Sequence, residues 1–337
     1  MKKNTRKKKK HSLFSPSEVV TSIRSALHLD LDGLLQEYRP ESGIGYDVRA
    51  QLDQLLKKYV DPDTKQDPLV AAVYEKFHSI NEHLARYQDV FPEVVPHLNK
   101  TMDFRTKALL RARSIVHMVL GSCPSWEKVF IRCKNGPGST LGTSFADTSD
   151  EAKWTYPITI TSGAKPIFDD YLLFDNSFHQ AIVSLNNGRP IEYEIVDGSR
   201  ATTVDKTSSA RRMICVEPTG NMFLQQGIML EMYDALQAVG LDVRSLPELH
   251  KDLARQASID GVNATIDWSS ASDCNSIGLS RFLLPPRWFG MVGSTRSPLI
   301  SIEGKNYKTE MISTMGNAVT FPLETLFFWS LGHGVHL

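Results

Sequence analysis

Apolar residues recur at helical spacing through the first third of the chain. Ser15-Pro16-Ser17-Glu18 has the form of a capping box with proline at the first helical position, and it leads into Val19, Ile23 and Leu27. A second amphipathic run spans Tyr46 to Tyr59 and halts before Asp61-Pro62. A third starts at Asp67-Pro68, with Leu69, Val73, Phe77, Ile80, Leu84 and Tyr87 on one stripe. A fourth runs from about Asp103 to Leu120, where Gly121 reads as the C-cap. Such stripes predict core-facing helices and carry no chemistry of their own.

The pattern changes after Gly121. Asn135 to Gly142 is a loop rich in glycine and hydroxyls, readable either as a phosphate cradle or as an ordinary surface loop. It lacks the lysine and the spacing of a P-loop. Ile191 to Val196 and Ala201 to Val204 read as short strands around Asp197-Gly198, a turn signal. Met213 to Val216 continues as a strand ending at Glu217-Pro218, and a helix from about Gly220 to Val239 closes at Gly240. No internal repeat is present.

Composition narrows the class. With 337 residues, 41% apolar and 23% charged, the chain suits two or three compact domains and no disordered, collagen-like or disulfide-rich class. The formal charge is zero, but Lys2, Lys3, Arg6, Lys7, Lys8, Lys9 and Lys10 concentrate positive charge at the start. Without these seven, 31 basic residues face 38 acidic ones. The expectation is a basic, disordered arm on an acidic body. No apolar run approaches a membrane span, and no apolar segment follows the basic start as in a secretory signal. Cys123, Cys133, Cys215 and Cys274 are widely spaced and read as reduced thiols; the ten histidines are scattered and suggest no metal site.

Candidate chemistry begins at Asn263. An extended, uncharged approach brings Asp267 to the end of an expected strand, where a carboxylate can hold a hard cation such as Mg2+. Ser269 to Ser272 leave space beside it. Asp273 follows near an expected helix start, ahead of Ile277, Leu279, Phe282, Leu283 and Leu284. Taken alone, Asp at a strand end or a helix N-cap is common. Beginning 46 positions after Asp267, Ser313-Thr314-Met315-Gly316-Asn317 enters an apolar helix with Pro322 in its first turn. Gly316 would allow a ligand close to the backbone, and Asn317 supplies a donor and an acceptor. Lys206, Arg211 and Arg212 flank a strand, either as a clamp for a polyphosphate or as surface charge on a hairpin.

In this order, the segments resemble motifs F, A and B of RNA-directed RNA polymerases. The wording is most similar to the replicases of the single-stranded RNA bacteriophages, the leviviruses. Arg212 to Pro218 with Asn221-Met222-Phe223 resembles the motif F region, and Asp267 to Asp273 resembles motif A. Leu284-Pro285-Pro286-Arg287-Trp288-Phe289, Arg296-Ser297-Pro298 and Met315-Gly316-Asn317 extend the likeness. It is firm from about Lys206 to Phe328, fainter over Ala108 to Thr143, and absent from the first hundred residues. One departure is that the Gly-Asp-Asp of motif C is missing; the sole Asp-Asp pair, Asp169-Asp170, lies far upstream. The expectation is the N-terminal portion of a replicase, inactive alone.

The resemblance implies an α+β right-hand polymerase. Its expected parts are a basic arm at 1–12, a mostly helical N-terminal and fingers region at 13–200, fingers with the motif F-like hairpin at 201–252, and the start of an RRM-like palm at 253–337. The implied reaction is template-directed ribonucleotidyl transfer with two Mg2+ ions. Asp267 would be the catalytic metal ligand, and Asp273 and Asn317 would pair to sense the ribose 2′-hydroxyl. Ser313 and Gly316 would lie at the nucleotide, and Lys206 and Arg212, with Arg211 secondary, would hold the triphosphate. Implied partners are an RNA template and product, ribonucleoside triphosphates and host translation factors, in the cytoplasm of the infected bacterial host and with no membrane. A reverse transcriptase would need a bulky gate that Ser269 to Ser272 do not offer. A non-catalytic RNA-binding virion protein would explain only the basic arm.

Overall fold

The computed structural model describes residues 66–91, 103–207, 210–243, 245–262, 266 and 268–335. The basic arm, the first two expected helices and Asp267 lie outside the described residues. The chain divides into two compact units, 1–70 with 204–212 and 71–203 with 213–337.

In the larger unit, three clusters of buried side chains define the core. The first surrounds helix α2 (Phe104–Leu120), whose start is capped by the Asp103 carboxylate on the Thr106 N–H at 3.0 Å and whose end is the positive-φ Gly121. Its buried Ala112 and Val116 face α11 (Thr320–Val335) and α7 (Thr219–Ala238), which contribute Leu323, Leu326 and Phe327, and Ile228 and Met232. The small residues permit close approach: a Cβ on Gly334 would stand 2.5 Å from the Ala108 carbonyl oxygen.

The second cluster is aromatic. Trp154, Phe168, Tyr171, Phe178 and Phe223 pack edge-to-face and stacked around strand β1 (Ile158–Thr161) and helices α5 (Lys165–Phe174) and α6 (Asn176–Leu185). Strand β1 pairs in parallel with β2 (Tyr193–Val196).

The third cluster packs α1 (Gln66–Ala85) on a four-stranded sheet, with Phe77 and Leu84 against Ala201, Cys215 and Ile300. The sheet order is β4-β3-β5-β6: Ala210–Val216, Gly198–Thr207, Leu299–Ile302 and Lys305–Lys308. Strand β3 runs parallel to β5, Gly198 opposite Leu299, and β5 is antiparallel to β6. The expected strands on either side of Asp197 therefore exist, but they belong to two different sheets. Asp197-Gly198 is a crossover rather than a hairpin turn, because β2 finds its partner upstream and β3 finds one a hundred residues downstream.

In the smaller unit, the described part includes the outer ends of β3 and β4, where Arg211 pairs with Asp205 at 2.9 Å.

Candidate nucleotide site

The loop before α11 is held from several sides. The Met315 carbonyl accepts from the Cys215 N–H at 2.7 Å, which fastens the loop to β4. Gly316 has φ +117°, and a Cβ on it would stand 2.1 Å from the Cys215 carbonyl oxygen. The close approach expected of Gly316 is thus to the protein's own backbone. Asn317 is buried and its Oδ1 accepts from the Val319 N–H at 3.0 Å, an Asx turn that leads into the helix. Ser313 is buried too, and its hydroxyl has no partner among the described residues.

Behind Asn317 lies Glu217, only 1% exposed. The Ser297 hydroxyl donates to its Oε2 at 2.7 Å and the Gln225 amide at 3.2 Å. Burial pushes the Glu217 carboxyl up, and these donors together with the neighbouring Arg296 oppose the rise. Arg296 donates to the carbonyls of Thr309 and Met311, each at 3.0 Å.

Asp273 ends a short 3-10 turn, Ala271–Asp273, entered through Ser270 at φ +59°. The regular helix, α9 (Ile277–Leu283), starts a few residues later behind the Ser276 cap, whose hydroxyl accepts from the Leu279 N–H at 2.9 Å. Burial raises the Asp273 carboxyl above its ordinary value; Lys76 on α1 and a long bond from Ser272 at 3.5 Å pull the other way. Glu324, on the first turns of α11, is raised by burial and then by Asp273. Asp273 and Asn317, expected to pair, have different hydrogen-bond partners among the described residues: Ser272 for one, the Val319 N–H for the other. Sequence reasoning did not single out Glu217 or Glu324. Their signal was a lone carboxylate within apolar surroundings.

Asp267 lies outside the described residues. Its neighbours Ile266 and Trp268 are exposed, and the Trp268 ring meets Phe328 with centroids 5.3 Å apart. Lys206 and Arg212 are exposed on β3 and β4, while Arg211 is engaged by Asp205. Those three residues belong to the smaller unit and the others to the larger one. Carboxylate oxygens are the donors that Mg2+ takes, and Asp273 and Glu324 supply that type. No group of three or more His, Cys, Asp and Glu able to hold a metal ion occurs among the described residues, so these residues fit Mg2+ in kind and not in number.

The glycine-rich loop does not present a cradle at its far end. Thr140 is buried, its hydroxyl meets that of Thr219 at 2.7 Å, and the Leu141 N–H is spent on the Glu217 carbonyl at 2.9 Å. A cleft of about 350 Å³ opens instead beside Asp197, Ser199, Arg200, Ser301 and Asn306, and none of the expected site residues lines it.

A four-stranded sheet carrying an Asn-bearing loop, with helices packed beside it, defines a mixed α and β protein, and the family model that matches it is described as RNA replicase, beta-chain. The match covers residues 41–337, and the chain belongs to that family. It is 32% identical over 219 residues to the RNA-directed RNA polymerase beta chain of Escherichia phage MS2, covering 65% of this chain and 39% of that protein. The corresponding beta chain of Enterobacteria phage GA is 39% identical over 142 residues, 42% of this chain and 26% of that protein. The RNA-directed RNA polymerase subunit beta of Escherichia virus Qbeta is 32% identical over 228 residues, 66% and 36%. The chain spans about two-fifths of the length of the first of these curated relatives.

Proposed function

We propose that this chain supplies the nucleotide-handling part of an RNA phage RNA-directed RNA polymerase, which joins ribonucleotides on an RNA template. The family match over residues 41–337 carries the reading. In this reading Asp267 is a catalytic metal ligand, and Asp273 and Asn317 meet the ribose. Ser313 offers a buried hydroxyl beside them, and Gly316 keeps the loop seated on β4. Lys206 and Arg212 hold the triphosphate, with Arg211 contributing less because Asp205 already pairs with it. Two Mg2+ ions, when bound, would activate the attacking 3′-hydroxyl and neutralise the leaving pyrophosphate. The further carboxylates that two ions need are assigned to a Gly-Asp-Asp segment, which the 337 residues do not contain. Template RNA, ribonucleoside triphosphates and host translation factors are the proposed partners, in the cytoplasm of an infected bacterium.

The test is Asp267→Asn in a replicase that joins this chain to a Gly-Asp-Asp segment. Nucleotide addition is expected to vanish while RNA binding and the thermal midpoint stay near wild type. Primer extension at the normal rate would remove Asp267 from the mechanism.

A further inference from the structure

Helix α2 carries Arg105, Lys107, Arg111 and Arg113 and not one acidic residue. It does so in a body where acidic residues outnumber basic ones, 38 to 31 once the seven basic residues at 2–10 are set aside. The side of α2 that bears Ala108, Ala112 and Val116 is buried in the core. On the opposite side Phe104, Lys107, Arg111, Ser114 and Met118 recur at intervals of three and four, which puts them on one face, and all five are exposed. Phe104 keeps 57% of its surface in solvent and Met118 67%, so the face offers apolar area as well as charge.

The charges here are set against one another. Lys107 and Arg111 stand one turn apart, about 6 Å along the axis, where like charges repel. Arg105 and Lys107 lie in the opening turn, at the positive end of the helix dipole, where an acidic residue would be favoured and none occurs. The Asp103 cap is taken up by the N–H and hydroxyl of Thr106 at 3.0 and 2.9 Å. Arg113 is engaged elsewhere, donating to the Phe282 carbonyl at 2.8 Å. Arg105, Lys107 and Arg111 form no ion pair among the described residues. Such a face costs stability until a polyanion neutralises it.

We propose that this face of α2 is a docking surface for single-stranded RNA, with Lys107 and Arg111 on neighbouring phosphates and Phe104 against a base. Charge complementarity selects a polyanion, and an exposed aromatic ring beside cations selects one that has bases to stack. That the strand is a template or product of polymerisation rests on the reading above; binding by this face does not.

The test is a salt titration of the 337-residue chain with a fluorescent, unstructured oligoribonucleotide. Each phosphate contact contributes about −0.7 to the slope of log affinity against log salt, so the double variant Lys107→Gln, Arg111→Gln should flatten the slope by about 1.4. The arm at 2–10 is the same in every variant and cancels. Phe104→Ala should weaken binding about fivefold or more at an unchanged slope, because stacking releases no counterions. Lys251→Gln removes a charge from α8 (Leu246–Asp260), where Glu248 pairs with it at 2.6 Å, and should leave affinity and slope as they are. The thermal midpoint of the double variant should hold or rise slightly as repulsion is relieved.

A wild-type slope in the double variant overturns the surface, and so does a slope flattened as much by Lys251→Gln as by Lys107→Gln alone. A midpoint several degrees lower would assign the charges to the fold and overturn it as well. Polyglutamate that displaces the labelled strand as well as unlabelled RNA does overturns RNA as the occupant and favours an acidic protein segment. In the replicase the two readings part. Unaltered nucleotide addition by Asp267→Asn, with a flattened slope in the double variant, removes the proposed chemistry and leaves the surface. Vanished addition in Asp267→Asn with a wild-type slope in the double variant removes the surface alone.

Discussion

The carbonyl oxygen of Cys215 lies 2.1 Å from the point where a Cβ on Gly316 would stand, and Gly316 has a φ of +117°. A side chain there would collide with backbone, which cannot move aside as a flexible side chain can. Gly316→Ala is therefore expected to destabilise the fold by about 2 kcal/mol or more. Gly290→Ala is the control: it sits in a helix, a Cβ there would meet nothing within 4 Å, and it should stabilise by up to about 1 kcal/mol. Urea midpoints of the two variants should move in opposite directions.

Asp273 and Glu324 both hold their protons more tightly in the folded state than in the unfolded chain. For a carboxylate with a raised folded pKa, the native state binds more protons, so stability falls as pH rises above the unfolded values of 3.8 and 4.5. Asp273→Asn should raise the thermal midpoint at neutral pH and flatten this decline. A midpoint that drops in Asp273→Asn at neutral pH would show that the Lys76 attraction outweighs burial.

The two ribose candidates have separate partners in the structure, so their effects on sugar choice should add. Asp273→Ala and Asn317→Ala are each expected to narrow the preference for ribonucleotides about five- to tenfold, since a net hydrogen bond is worth roughly 1 kcal/mol. Unaltered kcat/KM ratios for the two sugars in both variants would dismiss the pair from sugar sensing.

Thr219 joins the glycine-rich loop to β1. Its hydroxyl meets Thr140 at 2.7 Å and the Leu141 carbonyl at 3.1 Å, and its N–H reaches the Thr159 hydroxyl at 3.0 Å. Thr219→Val keeps the shape and strands buried polar groups, which should cost about 1–3 kcal/mol. Chemical denaturation will check it; a loss below about 0.5 kcal/mol would mean that water replaces the hydroxyl.

The seven charges among residues 2–10 should strengthen RNA binding without regard to sequence. Each phosphate neutralised adds about −0.7 to the slope of log affinity against log salt for single strands. Deletion of residues 2–10 with no change in affinity or slope would leave the arm a solubilising tail.

The helix Phe104–Leu120 was legible in the sequence because its cap, stripe and terminating glycine are local, and the helix Thr219–Ala238 differs from its expected limits by only a residue or so. Asp197-Gly198 was misleading for the opposite reason. A turn signal shows that the chain changes course, but the pairing of Gly198 with Leu299 leaves no trace within either segment. At the site, the loop of Asn317 was recognisable from its motif. Glu217 read only as the end of a strand, because the Ser297 hydroxyl that reaches its buried carboxylate comes from 80 positions away.

The parallel pairing of β3 with β5 also sets an order of assembly during synthesis. Strand β3 emerges about a hundred residues before the strand that completes its ladder. At a synthesis rate of about 5–20 residues per second, β3 waits roughly 5–20 seconds for that partner. The β1–β2 pair and its aromatic cluster are drawn from residues 126–224 and can close in the interval. The nascent chain thus passes through a stage with one cluster formed and the central sheet unfinished, its β3 edge still open to other chains.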